Sequence, residues 1–244
     1  LAVHFGWIGR PTRALAFLLA YVGLAGLVVL SWAIAPVLSF IVFLAISTFH
    51  FGRGDATSSV VGRGAVESIA RGSVVIGGIS QFHRTEANDI FLTIVGADTT
   101  GVWLFLDVLV VFGVACIVET LLFKQQHERT AFGLEIGALS LLFIAVPPLV
   151  GFAVYFCFVH SFRHFSSMRT VLQSTVSSLR ITQTTVVFSL LTWAFGLVAL
   201  VQQSASIGVE PALLRVIFIG LAALTVPHML LVDGFLGHTA SRRS

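Results

Sequence analysis

The sequence predicts an all-α fold, a polytopic transmembrane helix bundle, and three observations carry that expectation. Of the 244 residues, 57% are hydrophobic and 10% charged, with a mean hydropathy of +0.98. A soluble domain carries roughly 25% charged residues, so this chain lacks the polar surface to cover itself in water. Apolar runs also recur at about the 20-residue length that crosses a bilayer core, and the interruptions between them fall at prolines and polar clusters. The net charge of +3 comes from scattered basic residues that flank apolar runs, which argues against a nucleic-acid partner. We expect one integral membrane domain over residues 1–244.

Between Ala14 and Gly52 there is no Asp, Glu, Lys or Arg. That run is too long for one crossing, and Pro36 divides it into helices over 14–34 and 38–52 joined by a tight turn. Residues 63–81 are less apolar and carry Glu67 and Arg71, so they form a weaker span facing the bundle interior. A short apolar piece covers 90–97, and 101–123 spans again. Residues 131–146 and 149–165 make a pair broken at Pro147–Pro148, where helix hydrogen bonding fails. Spans at 184–202 and 212–233 complete a set of about eight, with the polar stretch 166–183 as the longest loop. Cys116 and Cys157 both fall in apolar spans, as small core residues rather than a disulfide. Residue 1 is Leu, and an N-terminal segment is expected to precede it.

Threading the spans in order sets the orientation. Arg10, Arg13, Arg53, Arg63, Lys124, Arg129, Arg163, Arg169, Arg180, Arg242 and Arg243 fall on one side; Arg84 and Arg215 fall on the other. The basic side is expected to be cytoplasmic, with the protein in the cell (plasma) membrane.

Residues 155–164 read YFCFVHSFRH. His160 and His164 lie four apart, about 40° apart on one helical face. Two imidazoles so placed can reach one metal ion; the alternative is a pair of interfacial histidines, solvated or bonded to carbonyls. His50, in STFHFGRGD, lies at the same side of its own helix, so three histidines reach one membrane depth. Polar groups inside a bundle are costly and usually functional. Neutral imidazole suits Fe, Zn or Cu, and the lack of thiolates or a carboxylate cluster favours an all-nitrogen site.

Gly52 and Gly54 are expected to end the His50 helix. Asp55 then either turns back onto a ligand imidazole and fixes its tautomer, or pairs with Arg53. His228 follows Pro227 in the last span, as a fourth ligand, as a histidine bonded to a carbonyl that the proline frees or, in the favoured reading, as a group supporting a ligand. His83, His127 and His238 read as ordinary polar residues of connections. Glu119 and Glu135 either support the histidine layer or snorkel to headgroups, and Trp7, Trp103 and Trp193 read as interface anchors. Among the aromatics beside the histidines, Phe51, Tyr155 and Phe156 are candidates to line an apolar passage. Phe156 shares the His160 face, whereas Phe158 points away, towards lipid.

HFGRGD at 50–55, HSFRH at 160–164 and VPHMLLV at 226–232 together resemble the Brp/Blh family. These are bacteriorhodopsin-related membrane β-carotene 15,15′-dioxygenases, and the resemblance covers nearly the whole chain. It implies an enzyme that cleaves β-carotene at its central double bond with O₂, giving two retinal molecules. It implies one non-haem Fe(2+) held by four histidines, of which His50, His160 and His164 carry over, and a functional link to a retinal-binding opsin. The family's first ligand lies in an upstream HGxxD-type motif. This chain begins LAVHFGWIGRPT, as though just after that motif. His4 lacks its surroundings and is not assigned.

The partners then expected are a carotenoid, O₂ and the lipid bilayer. A membrane di-metal desaturase or hydroxylase would carry many more clustered histidines. A metal transporter would show polar residues through several span centres. A non-enzymatic factor for retinal and opsin assembly would not need the histidine layer.

Overall fold

A computed structural model describes residues 11–55, 63–96, 98–163 and 178–230, and the described residues are almost entirely helical. The helices in chain order are α1 (Pro11–Ile34), α2 (Pro36–Asp55), α3 (Arg63–Ser73), α4 (Ile79–Phe82), α5 (Arg84–Val95), α6 (Thr100–Phe123), α7 (Gln126–Ala145), α8 (Pro148–Val154), α9 (Ser178–Ile207) and α10 (Val209–His228). Among the described residues, π-helical segments cover Val74–Gly78 between α3 and α4 and Tyr155–His160 after α8, and π winding also follows α10 at residues 229–230. Among the described residues, five helices are long and apolar enough to cross a membrane: α1, α2, α6, α9 and α10. The other segments expected to span are helical as well. They are broken by a π segment, short, or, as with α7, charged near the start. α9 begins at Ser178, so the end of the expected 166–183 loop is helix.

The chain forms two compact units, Leu1–Ser39 with Ser167–Ser244, and Phe40–Ser166. In the first, α10 packs against both α1 and α9. The Tyr21 hydroxyl donates to the Leu224 carbonyl at 2.6 Å, joining α1 to α10. The chain turns sharply at Ala35–Pro36. Ser39 Oγ donates to Ser31 Oγ at 3.2 Å, where an unbroken helix would hold those residues about 12 Å apart. Outward side chains are large and apolar, as lipid contact requires; Trp193 of α9 is 78% exposed.

The second unit is built on close backbone contact. A Cβ on Gly52 of α2 would overlap the Ser68 carbonyl of α3, and one on Gly72 would overlap the Thr48 carbonyl. The paired spacings, 48 with 72 and 52 with 68, make this an antiparallel crossing of small residues, the packing that membrane helices favour. α6 lies against α3, with Gly113 facing the Ser73 side chain. Ala70, Cys116 and Phe132 form a core between α3, α6 and α7. The expectation that Gly52 and Gly54 end their helix is corrected: α2 continues to Asp55, because the missing Cβ at Gly52 serves interhelical contact rather than a left-handed cap.

Prolines act as expected at Pro147–Pro148. α7 stops at Ala145, and α8 restarts with a proline in its first turn. The His83 ring caps this break, with Nε2 3.0 Å from the Phe143 carbonyl oxygen. Trp103, expected as an interface anchor, is tied inward: its indole N–H donates to Asn88 Oδ1 at 2.8 Å and Arg84 lies over its ring. Trp7 and His238 lie outside the described residues; His127 and Glu119 are exposed.

Candidate functional site

The site begins with the intact last turns of α2, which carry His50 and Phe51 side by side. The His50 ring lies 5.1 Å from the ring of His160, centroid to centroid, at an interplanar angle of 63°. His160 is the last residue of the second π segment and is 9% exposed.

Phe51 packs edge-to-face on three residues of that segment. Its centroid is 4.8 Å from His160, 5.5 Å from Tyr155 and 6.3 Å from Phe156. Phe156 stacks on His160 at 5.9 Å and 23°, and Phe152 stacks on Phe156. Tyr155 is buried and packs on Phe143.

The π segment explains this grouping. With i→i+5 hydrogen bonding each residue turns roughly 80° instead of 100°, so His160 falls between Tyr155 and Phe156 in azimuth. In an α-helix Tyr155 would be turned about 140° away from His160. Phe158 is 76% exposed and faces away from this cluster.

The 5.1 Å, 63° arrangement is that of an edge-to-face ring pair, and it is also compatible with two imidazoles reaching one ion. A metal about 2.1 Å from one nitrogen of each ring sets the two centroids about 4.5–5.3 Å apart at inter-ligand angles near 90–110°. The observed 5.1 Å lies in that range. His164 lies outside the described residues, and among the described residues no three His, Cys, Asp or Glu cluster around a metal position. Asp55 is the last residue of α2. His228 is half-buried at the end of α10, in the other unit.

A chain of ion pairs that the residue pattern left unresolved ends at Arg163, three residues beyond His160. Glu67, 1% exposed, accepts from Arg71 Nε and Lys124 Nζ, both at 3.1 Å. Arg71 Nη1 also donates to Glu135 Oε2 at 2.6 Å, and Arg163 Nη1 donates to Glu135 Oε1 at 2.8 Å. Arg71 lies over the Phe132 ring. Buried charges persist only when paired in this way. Of the two acids weighed in the sequence, Glu135 enters the polar layer and Glu119 does not. The i,i+4 spacing of Glu67 and Arg71 was the local signal for it.

Comparisons with known proteins agree along the whole chain. The family model for beta-carotene 15,15′-dioxygenase matches residues 2–236. A beta-carotene 15,15′-dioxygenase from uncultured marine bacterium 66A03 is 34% identical over 249 residues, covering 99% of this chain and 89% of that protein. No solved structure is significantly similar. With the histidine pair enclosed by aromatics inside an apolar helical scaffold and a match that runs nearly end to end, the chain belongs to the beta-carotene 15,15′-dioxygenase family of enzymes.

Proposed function

We propose that this protein cleaves β-carotene at its central double bond with O₂ to give two molecules of retinal, using one Fe(2+) held by His50, His160 and His164. The observation that carries the proposal is the 5.1 Å approach of His50 and His160. Iron, when bound, supplies the activation of O₂. The central C=C bond is broken and each of its carbons takes one oxygen atom from O₂, so no reductant and no proton are consumed. No acid–base dyad is needed.

The chain's own residues bind, orient and exclude water. The substrate is a long apolar polyene without a charge to grip, so its binding comes from burial, at about 25 cal/mol per Å². Phe51, Tyr155 and Phe156 supply apolar surface beside the histidines and keep water away from them. The excess of arginine and lysine on one side supports a cytoplasmic site end. Lipid holds the substrate, and a retinal-binding opsin is the natural acceptor of the product.

The test uses detergent-purified full-length protein and its His160→Ala variant. Elemental analysis is combined with chromatography of products after feeding β-carotene. Iron and retinal present in the first and lost in the second support the reading. Retinal production unchanged in the variant overturns it.

A further inference from the structure

We propose that Glu135 is a positioning residue for His160, acting through Arg163; the inference rests on the site reading above but is tested apart from it. His160 ends a π segment, and the helix runs on only to Arg163 before the described residues stop. An i→i+5 turn holds one residue more than an α turn, so sliding by one residue converts it to α-helix and rotates everything beyond it. The azimuth of His160 therefore needs a fixed point past the π segment. Arg163, three residues on, supplies one. Its guanidinium donates to Glu135 Oε1 at 2.8 Å, while Glu135 Oε2 accepts from Arg71 at 2.6 Å. Arg71 is itself 7% exposed and held by Glu67, which also takes Lys124.

The chain Lys124–Glu67–Arg71–Glu135–Arg163 thus joins the end of α6, α3, α7 and the helix end that bears His160. The two carboxylate oxygens of Glu135 divide the work. One faces the buried Arg71 and the other faces Arg163, past the π segment. Glu135→Gln keeps the shape and one carbonyl acceptor but removes the charge that can hold both guanidiniums.

The first measurement is the rate at which diethyl pyrocarbonate modifies His160 in metal-stripped protein, read by mass spectrometry, with His83 as the internal reference. Glu135→Gln and Arg163→Gln should each raise the His160 rate at least about threefold and leave His83 unchanged. Asp107→Asn is the control. It breaks the Arg84 ion pair, about 25 Å along α6 from Lys124, and should leave the His160 rate as it is, while any change at His83, which adjoins Arg84, stays local to that pair. The second measurement is metal affinity and turnover. Glu135→Gln should weaken Fe(2+) binding about tenfold and lower kcat with KM for β-carotene unchanged, and Arg163→Lys should retain most of both.

A His160 rate equal to wild type in both glutamine variants overturns the proposal, as does an equal rise at His83. A wild-type protein that neither binds iron nor makes retinal, yet shows the His160 effect, leaves the positioning role standing and removes the catalytic reading.

Discussion

The carbonyl oxygen of Ser68 occupies the space where a side chain on Gly52 would begin. α2 and α3 therefore touch backbone to backbone within two residues of His50, and the position of that histidine depends on a residue with no side chain.

Gly52→Ala should be among the most damaging single changes in the second unit. Overpacking typically costs 1–3 kcal/mol, and here the obstacle is backbone that cannot turn aside. We expect a lowered thermal midpoint in detergent and loss of retinal production. A variant with wild-type stability and activity would show that α2 and α3 separate easily.

His50 and His160 should behave as one unit. Changes to ligand-supporting groups already cost about 10–100-fold in metal affinity or activity, so His50→Gln and His160→Gln should each lower kcat/KM by at least about 100-fold. The double variant should be no worse than either single one, because residues acting together are not additive. Steady-state rates of the three variants test this, and additive losses would mean that the two rings act separately.

Glu67→Gln should destabilise the protein by less than the roughly 3–5 kcal/mol of a fully uncompensated buried charge, because it removes the carboxylate that Arg71 and Lys124 share but leaves Arg71 with Glu135 and Lys124 with Glu128. Replacing all three by apolar residues of similar volume should cost less than the single change. Reversible unfolding in mixed detergent measures both, and the opposite ranking would contradict the assignment.

The aromatic cluster should divide by face. Phe156 stacks on His160 and Phe158 is largely exposed. An aromatic pair contributes about 0.5–1.5 kcal/mol beyond its buried area, so Phe156→Ala should lower kcat/KM by up to about tenfold. Phe158→Ala should stay within about twofold. Equal losses from both would argue against a one-sided site.

Asp98 gives a pH dependence away from the spans. The Thr100 hydroxyl, and then the Thr100 backbone N–H, donate to its carboxylate and hold its pKa below the ordinary value. A carboxylate with a lowered folded-state pKa contributes stability above its unfolded value, about 3.9. That contribution fades as pH falls through the folded value. Hydrogen exchange in the first turn of α6 should be faster in Asp98→Asn than in wild type at pH 6, and the two should converge at pH below about 3. A difference that persists there would point to packing instead of charge.

Much of this architecture was legible locally. Hydropathy is a property of each run of residues, so the helical, membrane-crossing character needed no tertiary knowledge. Proline removes a donor wherever it stands, so the breaks at Pro36 and Pro147–Pro148 followed from their positions. The placement of Phe156 with His160, and of Phe158 away from it, followed from helical geometry.

Other features lay beyond local reading. Gly52 read as a helix end because glycine often ends helices; only the approach of Ser68 gives it another task. Glu135 meets Arg71 from 64 residues away, and an acid near a helix end does not name its partner. The sequence by itself determined that this is an apolar, all-helical chain with histidines at matching helix ends. The tertiary structure alone decided that the segment carrying His160 is wound as a π-helix. It also decided that Phe51 lies against three of that segment's residues and which carboxylate holds its far end. Period and hydropathy act along one chain segment, whereas a π turn and a buried ion pair persist only through what packs against them.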